Sequence, residues 1–180
     1  MLENHKLLKN LFLVVVATIG LSGCSSDSNP NNDNGSAKST AGVVIPSTIK
    51  ATALPNTGTL TAKIFVDGST NAASSKTVDL SAMEVTFTLT VATGDHNFTV
   101  VFYFDDLVYN SQTWELARAT TSSPVSVGKG STTKVTSFNP YSYQDFDGDG
   151  VSNLLELGAG TDPGLGACVL DSANIPCQLG

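Results

Sequence analysis

Histidine and basic side chains are scarce in this 180-residue chain. Two histidines and nine lysines and arginines stand against sixteen aspartates and glutamates, giving a formal net charge of −7. With so few bases there is no positive stripe for a phosphate backbone, which excludes a nucleic-acid partner. Once an N-terminal targeting segment is set aside, His96 is the sole histidine. It cannot supply a zinc ligand set, and a Ser-His-Asp triad would have to run through a strand-start residue beside a glycine turn, where a solvated turn histidine is expected. The adjacent carboxylates Asp105 and Asp106 point to opposite faces if they lie on a strand, which suits a hairpin end better than a glycosidase pair. Gly128-Lys129-Gly130-Ser131 lacks the upstream glycine of a phosphate loop and the Ser or Thr directly after its lysine. The chain is therefore expected not to be an enzyme. Long hydrophobic runs are missing too: Leu11 to Leu21 gives eleven apolar-run residues, short of the roughly 20 that cross a bilayer.

The acidity is local. Residues 145–180 hold six acids and no bases, and residues 1–144 hold ten acids and nine bases. Within the acidic part, Asp145-Phe146-Asp147-Gly148-Asp149-Gly150-Val151-Ser152-Asn153-Leu154-Leu155-Glu156 places oxygen ligands at positions 1, 3, 5, 9 and 12 of a twelve-residue loop, with Gly150 at position 6. A hard cation such as Ca²⁺ takes six to eight oxygens, and a loop this short offers them only by turning sharply. Asp145, Asp147 and Asp149 are expected to give carboxylate oxygens, Val151 its carbonyl, Asn153 an oxygen directly or through water, and Glu156 both carboxylate oxygens. A plain acidic surface turn has no need of this register. Position 8 is Ser152, where an EF-hand carries a branched apolar residue, and Pro140 upstream opposes an entering helix. The pattern DFDGDGVSNLLELGAGTDPG over residues 145–164 instead resembles the thrombospondin type 3 repeat of bacterial envelope proteins. That resemblance implies the same calcium ligands and adds Asp162, folding back from the tail.

The N-terminus has its own signature. Lys6 and Lys9 precede the apolar run, and Leu21-Ser22-Gly23-Cys24 follows it, the order of a secretory signal. This segment resembles a bacterial lipoprotein leader. The resemblance implies a signal peptide over residues 1–23, cleavage before Cys24 and lipidation of Cys24, with acyl chains as the membrane anchor. Ser25 stands where an Asp would resemble an inner-membrane retention signal, which favours the outer membrane or cell surface. With Cys24 acylated, Cys168 and Cys177 remain as an even pair outside the reducing cytosol. A disulfide is expected there, contributing on the order of 2.5 kcal/mol for so short a loop, with two free thiols as the alternative.

Residues 24–42, a lipidated cysteine and then Ser, Asn, Asp and Gly, are read as a flexible tether of roughly 25 Å. Residues 43–138 read as strands. Met83, Val85, Phe87, Leu89 and Val91 alternate with Glu84 and three threonines, and after Thr93-Gly94-Asp95 the residues Phe98, Val100, Phe102 and Phe104 line one face of a returning strand. This predicts a central hairpin. Leu60 to Val66 forms an earlier strand. Weaker candidates lie at 43–51 and 76–80, then come 113–120 and a closing hairpin of 125–127 with 132–138. The sum is an antiparallel β-sandwich, immunoglobulin-like or transthyretin-like in general form, followed by a calcium-loop tail over 139–180 with a helical turn at 154–157. A structural or adhesive envelope role is expected. The alternative is an accessory lipoprotein whose sandwich binds a polysaccharide or a partner enzyme, for which Phe65, Tyr103 and Tyr109 on one sheet face would be the sign.

Overall fold

The computed structural model describes residues 35–107, 111–130 and 132–166. The leader, Cys24, most of the expected tether, Tyr109, Cys168 and Cys177 lie outside the described residues. Among the described residues, ten strands and two short helices follow one another: β1 (Ser36–Val44), α1 (Ser47–Ala51), β2 (Thr59–Val66), β3 (Ser74–Thr77), β4 (Glu84–Ala92), β5 (Gly94–His96), β6 (Phe98–Asp105), β7 (Thr113–Thr120), β8 (Val125–Val127), β9 (Thr133–Val135), β10 (Ser142–Tyr143) and α2 (Asn153–Ala159). A three-stranded sheet runs β4-β1-β9 and a five-stranded sheet runs β10-β7-β6-β2-β3, with β5 and β8 paired separately. Inward residues of both main sheets, among them Phe87, Leu89, Ile64, Phe98, Phe102 and Leu116, join one buried apolar cluster. The fold is the expected mainly β sandwich. All pairings are antiparallel except β1 with β9, which is parallel.

The alternations in β2 and β6 place Leu60, Ala62, Ile64, Phe98, Val100, Phe102 and Phe104 inward as predicted. Three expectations are corrected. The central hairpin does not form: β4 pairs with β1, whereas β6 pairs with β2 and β7, so the Gly94 turn carries the chain from one sheet to the other. The closing hairpin is likewise replaced, because β8 pairs with β5 and β9 with β1. Met83 precedes β4 and is exposed. Alternation reports which face a strand buries, not which strand lies beside it.

The other correction concerns the tether. Ser36 to Gly42 belongs to β1, paired along its whole length with β4. Ala37, Ser39 and Ala41 are its buried residues, and Ser39 Oγ donates to the Thr133 carbonyl at 3.3 Å. Small inward side chains let the two sheets approach but carry no hydrophobic signal. The segment expected as a separate tail is also part of the sandwich. Asn139 donates to the Thr120 carbonyl, the Tyr141 hydroxyl to the Val44 carbonyl at 3.0 Å, and the Tyr141 ring meets Phe102 edge-on. Leu154 and Leu157 of α2 lie in the main apolar cluster.

One irregularity interrupts β7. Phe102 faces Ala117 and Tyr103 faces Glu115, so Leu116 is an extra residue in that strand, a β-bulge. Trp114 and Leu116 turn inward before it, and Ala117 and Ala119 after it. Glu115 and Arg118, three residues apart, consequently share the outer face. There the arginine makes a two-pronged bridge, Nε to Oε1 at 2.6 Å and Nη2 to Oε2 at 2.7 Å.

Candidate metal centre

The acidic loop is fastened to this bulge. The Gln144 N–H donates to the Leu116 carbonyl, and the Asn153 N–H donates to the Gln144 carbonyl. Asn153 Nδ2 donates to the Glu115 carbonyl at 2.8 Å, while its Oδ1 accepts the Phe146 N–H at 2.8 Å. Asn153 is buried, and its amide is spent as a clamp between loop and sheet. In the sequence it was expected as an oxygen ligand, and the structure turns that oxygen to the loop's own backbone. The Phe146 ring meets buried Trp114 edge-on, with centroids 5.3 Å apart.

Within the loop, each aspartate organises backbone. Asp145 accepts from the Gly148 and Gly150 N–H groups, both at 2.9 Å, Asp147 from Asp149 at 3.2 Å, and Asp149 from Val151 at 2.7 Å. The bond from Gly150 is foremost in holding the Asp145 carboxyl below its ordinary range. Gly150 has φ +93°, a conformation that glycine takes at little cost, so the turn required at position 6 is present. As a result, Asp145, Asp147 and Asp149 each place a carboxylate oxygen within 4.8 Å of the others, a group that can hold a metal ion.

Glu156, in the first turn of α2, is 3% exposed. Its Oε2 has no hydrogen-bond partner, nor does the buried Oδ2 of Asp147. Burial first, then the charges of Asp147, Asp149, Asp145 and Asp162, push the Glu156 carboxyl up to about 7. An uncompensated buried carboxylate is costly, and a divalent cation among these oxygens reverses that cost. Asp162 therefore lies close enough to act on the site, and its Oδ1 accepts the Gly164 N–H at 2.9 Å. The tail continues across the loop: a Cβ on Gly166 would come to 3.9 Å from Asp149 Cβ and 4.0 Å from Asp147 Oδ2. Val151 follows the Gly150 turn, with its N–H held by Asp149.

The sequence did not reveal a second polar feature. His96, expected as a solvated turn residue, bonds Asp67 Oδ2 through Nδ1 at 2.6 Å and the Ala92 carbonyl through Nε2 at 2.9 Å. The aspartate holds the imidazole pKa above its ordinary value, and the histidine holds the Asp67 carboxyl below its own. Asp67-Gly68 at the end of β2 read only as a turn, and nothing in the sequence pairs positions 29 residues apart.

Among the described residues, no helix is long and apolar enough to cross a membrane. Comparisons with protein-family models, curated proteins and solved structures find no match to this chain.

Proposed function

We propose that the chain is a lipid-anchored bacterial envelope protein that binds Ca²⁺ in the loop of residues 145–156, with a structural or adhesive role at the outer membrane or cell surface. The observation that carries the calcium reading is the pair of buried, unpartnered carboxylate oxygens, Glu156 Oε2 and Asp147 Oδ2, set against the Asp145-Asp147-Asp149 group. An all-oxygen donor set of four carboxylates with a backbone carbonyl suits calcium, which takes six to eight oxygens, better than the smaller, more rigidly octahedral magnesium. Asp145, Asp147, Asp149 and Glu156 are the side-chain ligands in this reading, Val151 contributes its carbonyl, and Asp162 closes the site from the tail. Asn153 holds the loop to β7.

Calorimetric titration of the exported protein tests it. Saturable heat is expected at roughly 10⁻⁴–10⁻³ M Ca²⁺, the range of extracellular modules, and its loss in Asp147→Ala. No saturable heat up to several times that range, or an unchanged response in the variant, overturns the assignment. The anchor rests on the Leu21-Ser22-Gly23-Cys24 pattern. Cys24→Ala should release the protein from membranes, and retention through a carbonate wash would contradict lipidation.

A further inference from the structure

The edges of the two main sheets are closed unequally. The five-stranded sheet ends on β3 and β10, four and two residues long, and one edge of the three-stranded sheet is β9, three residues long. The other edge is β4, nine residues paired with β1 alone in a register that runs unbroken from Ser36↔Ala92 to Val44↔Glu84. Two flanking bonds give the phase of that pair: the Thr93 N–H donates to the Gly35 carbonyl, and the Ile45 N–H to the Met83 carbonyl. Antiparallel bonding recurs at every second residue. Val85, Phe87, Leu89 and Val91 therefore spend their backbone groups on β1, and Glu84, Thr86, Thr88, Thr90 and Ala92 turn theirs away from it. The Ala92 carbonyl, which meets His96 Nε2 at 2.9 Å, fits this phase. Among the described residues, no backbone bond reaches the outward groups of Thr86, Thr88 and Thr90, and all three residues are exposed. Free edges are discouraged from pairing by a lysine, a proline or a bulge. β4 has none of these, and its one charge is Glu84 at its start.

We infer that β4 pairs with β4 of a second copy of this chain, antiparallel about a two-fold axis at Thr88, so that the three-stranded sheets of both copies become one sheet. Residues with outward backbone groups must face one another, and the register that overlaps the whole strand sets Thr88 against Thr88, Thr86 against Thr90 and Glu84 against Ala92 of the other copy. On the outer face, threonine then meets threonine, a favourable cross-strand pair. On the inner face, Phe87 meets Leu89 and Val85 meets Val91, which continues the apolar row of each core across the seam. The carboxylate falls opposite alanine, so no like charges confront each other at the seam of a chain of net charge −7. A strand of a different protein is the less favoured occupant, because the pattern that suits β4 is the one β4 itself carries. The contact is the same on both copies and consumes the edge, so association stops at two. A seam one strand long covers less area than a permanent dimer needs, which makes the pairing reversible and dependent on concentration.

The test is oxidative cross-linking and sedimentation of the exported protein in an excess of detergent micelles. Thr88→Cys sets two thiols opposite each other at the axis, with Cα atoms about 5.5 Å apart, a span that a disulfide bridges. Thr86→Cys leaves its two thiols about 13 Å apart along the seam, and adding Thr90→Cys to it supplies a facing partner. Linked dimer from Thr88→Cys and from the double variant is expected at least tenfold above that from Thr86→Cys alone or from the parent. In sedimentation, the parent should shift toward twice its mass as concentration rises. Thr88→Lys, which sets two ammonium groups face to face, should abolish the shift with an unchanged circular dichroism spectrum. A parent that stays monomeric up to about 1 mM overturns the proposal and leaves the edge to a foreign strand. Equal linkage through Thr86→Cys and Thr88→Cys, a dimer that survives Thr88→Lys, or growth beyond two copies overturns it as well.

Discussion

The sandwich core and the acidic end differ in how completely they satisfy themselves. In the sandwich, the inward apolar side chains of both main sheets close on one another in a single cluster. Among the described residues, the buried side-chain atoms without a hydrogen bond are Trp114 Nε1, Asp147 Oδ2 and Glu156 Oε2, and all three belong to the end where the acidic loop meets β7. A folded chain rarely leaves such groups orphaned. All three lie at one place, and two of them are carboxylate oxygens beside the group of aspartates that could hold a metal ion.

Three experiments probe that contrast. The largest effect is expected from Leu157→Ala. Leu157 is 1% exposed within the main cluster, so its loss should cost about 2–5 kcal/mol of global stability, read as a lower denaturation midpoint at every strand probe. Unfolding confined to residues beyond 138 would restore the idea of an independent tail. Next comes Glu156→Gln, which removes the buried charge but keeps the shape. Calcium at ten times its dissociation constant should stabilise the parent by about 1.4 kcal/mol and the variant by far less. In chelator at neutral pH the order should reverse, with the variant at least as stable as the parent, and parallel melting curves in both conditions would count against the site.

The smallest effect belongs to the Asp67–His96 bridge. The folded imidazole has a pKa above its ordinary 6.5, so the proton favours the folded state. The contribution is full below 6.5 and is lost as pH rises through the raised value. Asp67, held below its ordinary 3.8, sets the lower limit of the same window, where falling pH removes the bridge. Amide exchange at Asn97, whose N–H donates to Asp67, should speed up as pH rises through this window beyond its intrinsic increase, and His96→Gln should abolish that excess.

Legibility followed the periodicity of large side chains. The inward rows of β2 and β6 were readable because four apolar residues recur at every second position in each run. β1 was not, since Ala37, Ser39 and Ala41 bury without being hydrophobic enough to register. Partners were unreadable for a different reason: the Gly94 turn looks the same whether the next strand returns alongside or crosses to the facing sheet. The metal loop gave its aspartates and Gly150 by spacing alone. The clamp made by Asn153 and the ring contact of Trp114 were not legible, because they depend on residues 38 and 32 positions away, Glu115 and Phe146.

The bulge in β7 gives Glu115 two attachments. Its carbonyl holds Asn153 of the acidic loop, and its carboxylate holds Arg118 on the outer face. One residue inserted into a strand thus sets the backbone and the side chain of a single glutamate to different tasks, so that a shift of β7 at this point would move the loop clamp and the outer-face ion pair together.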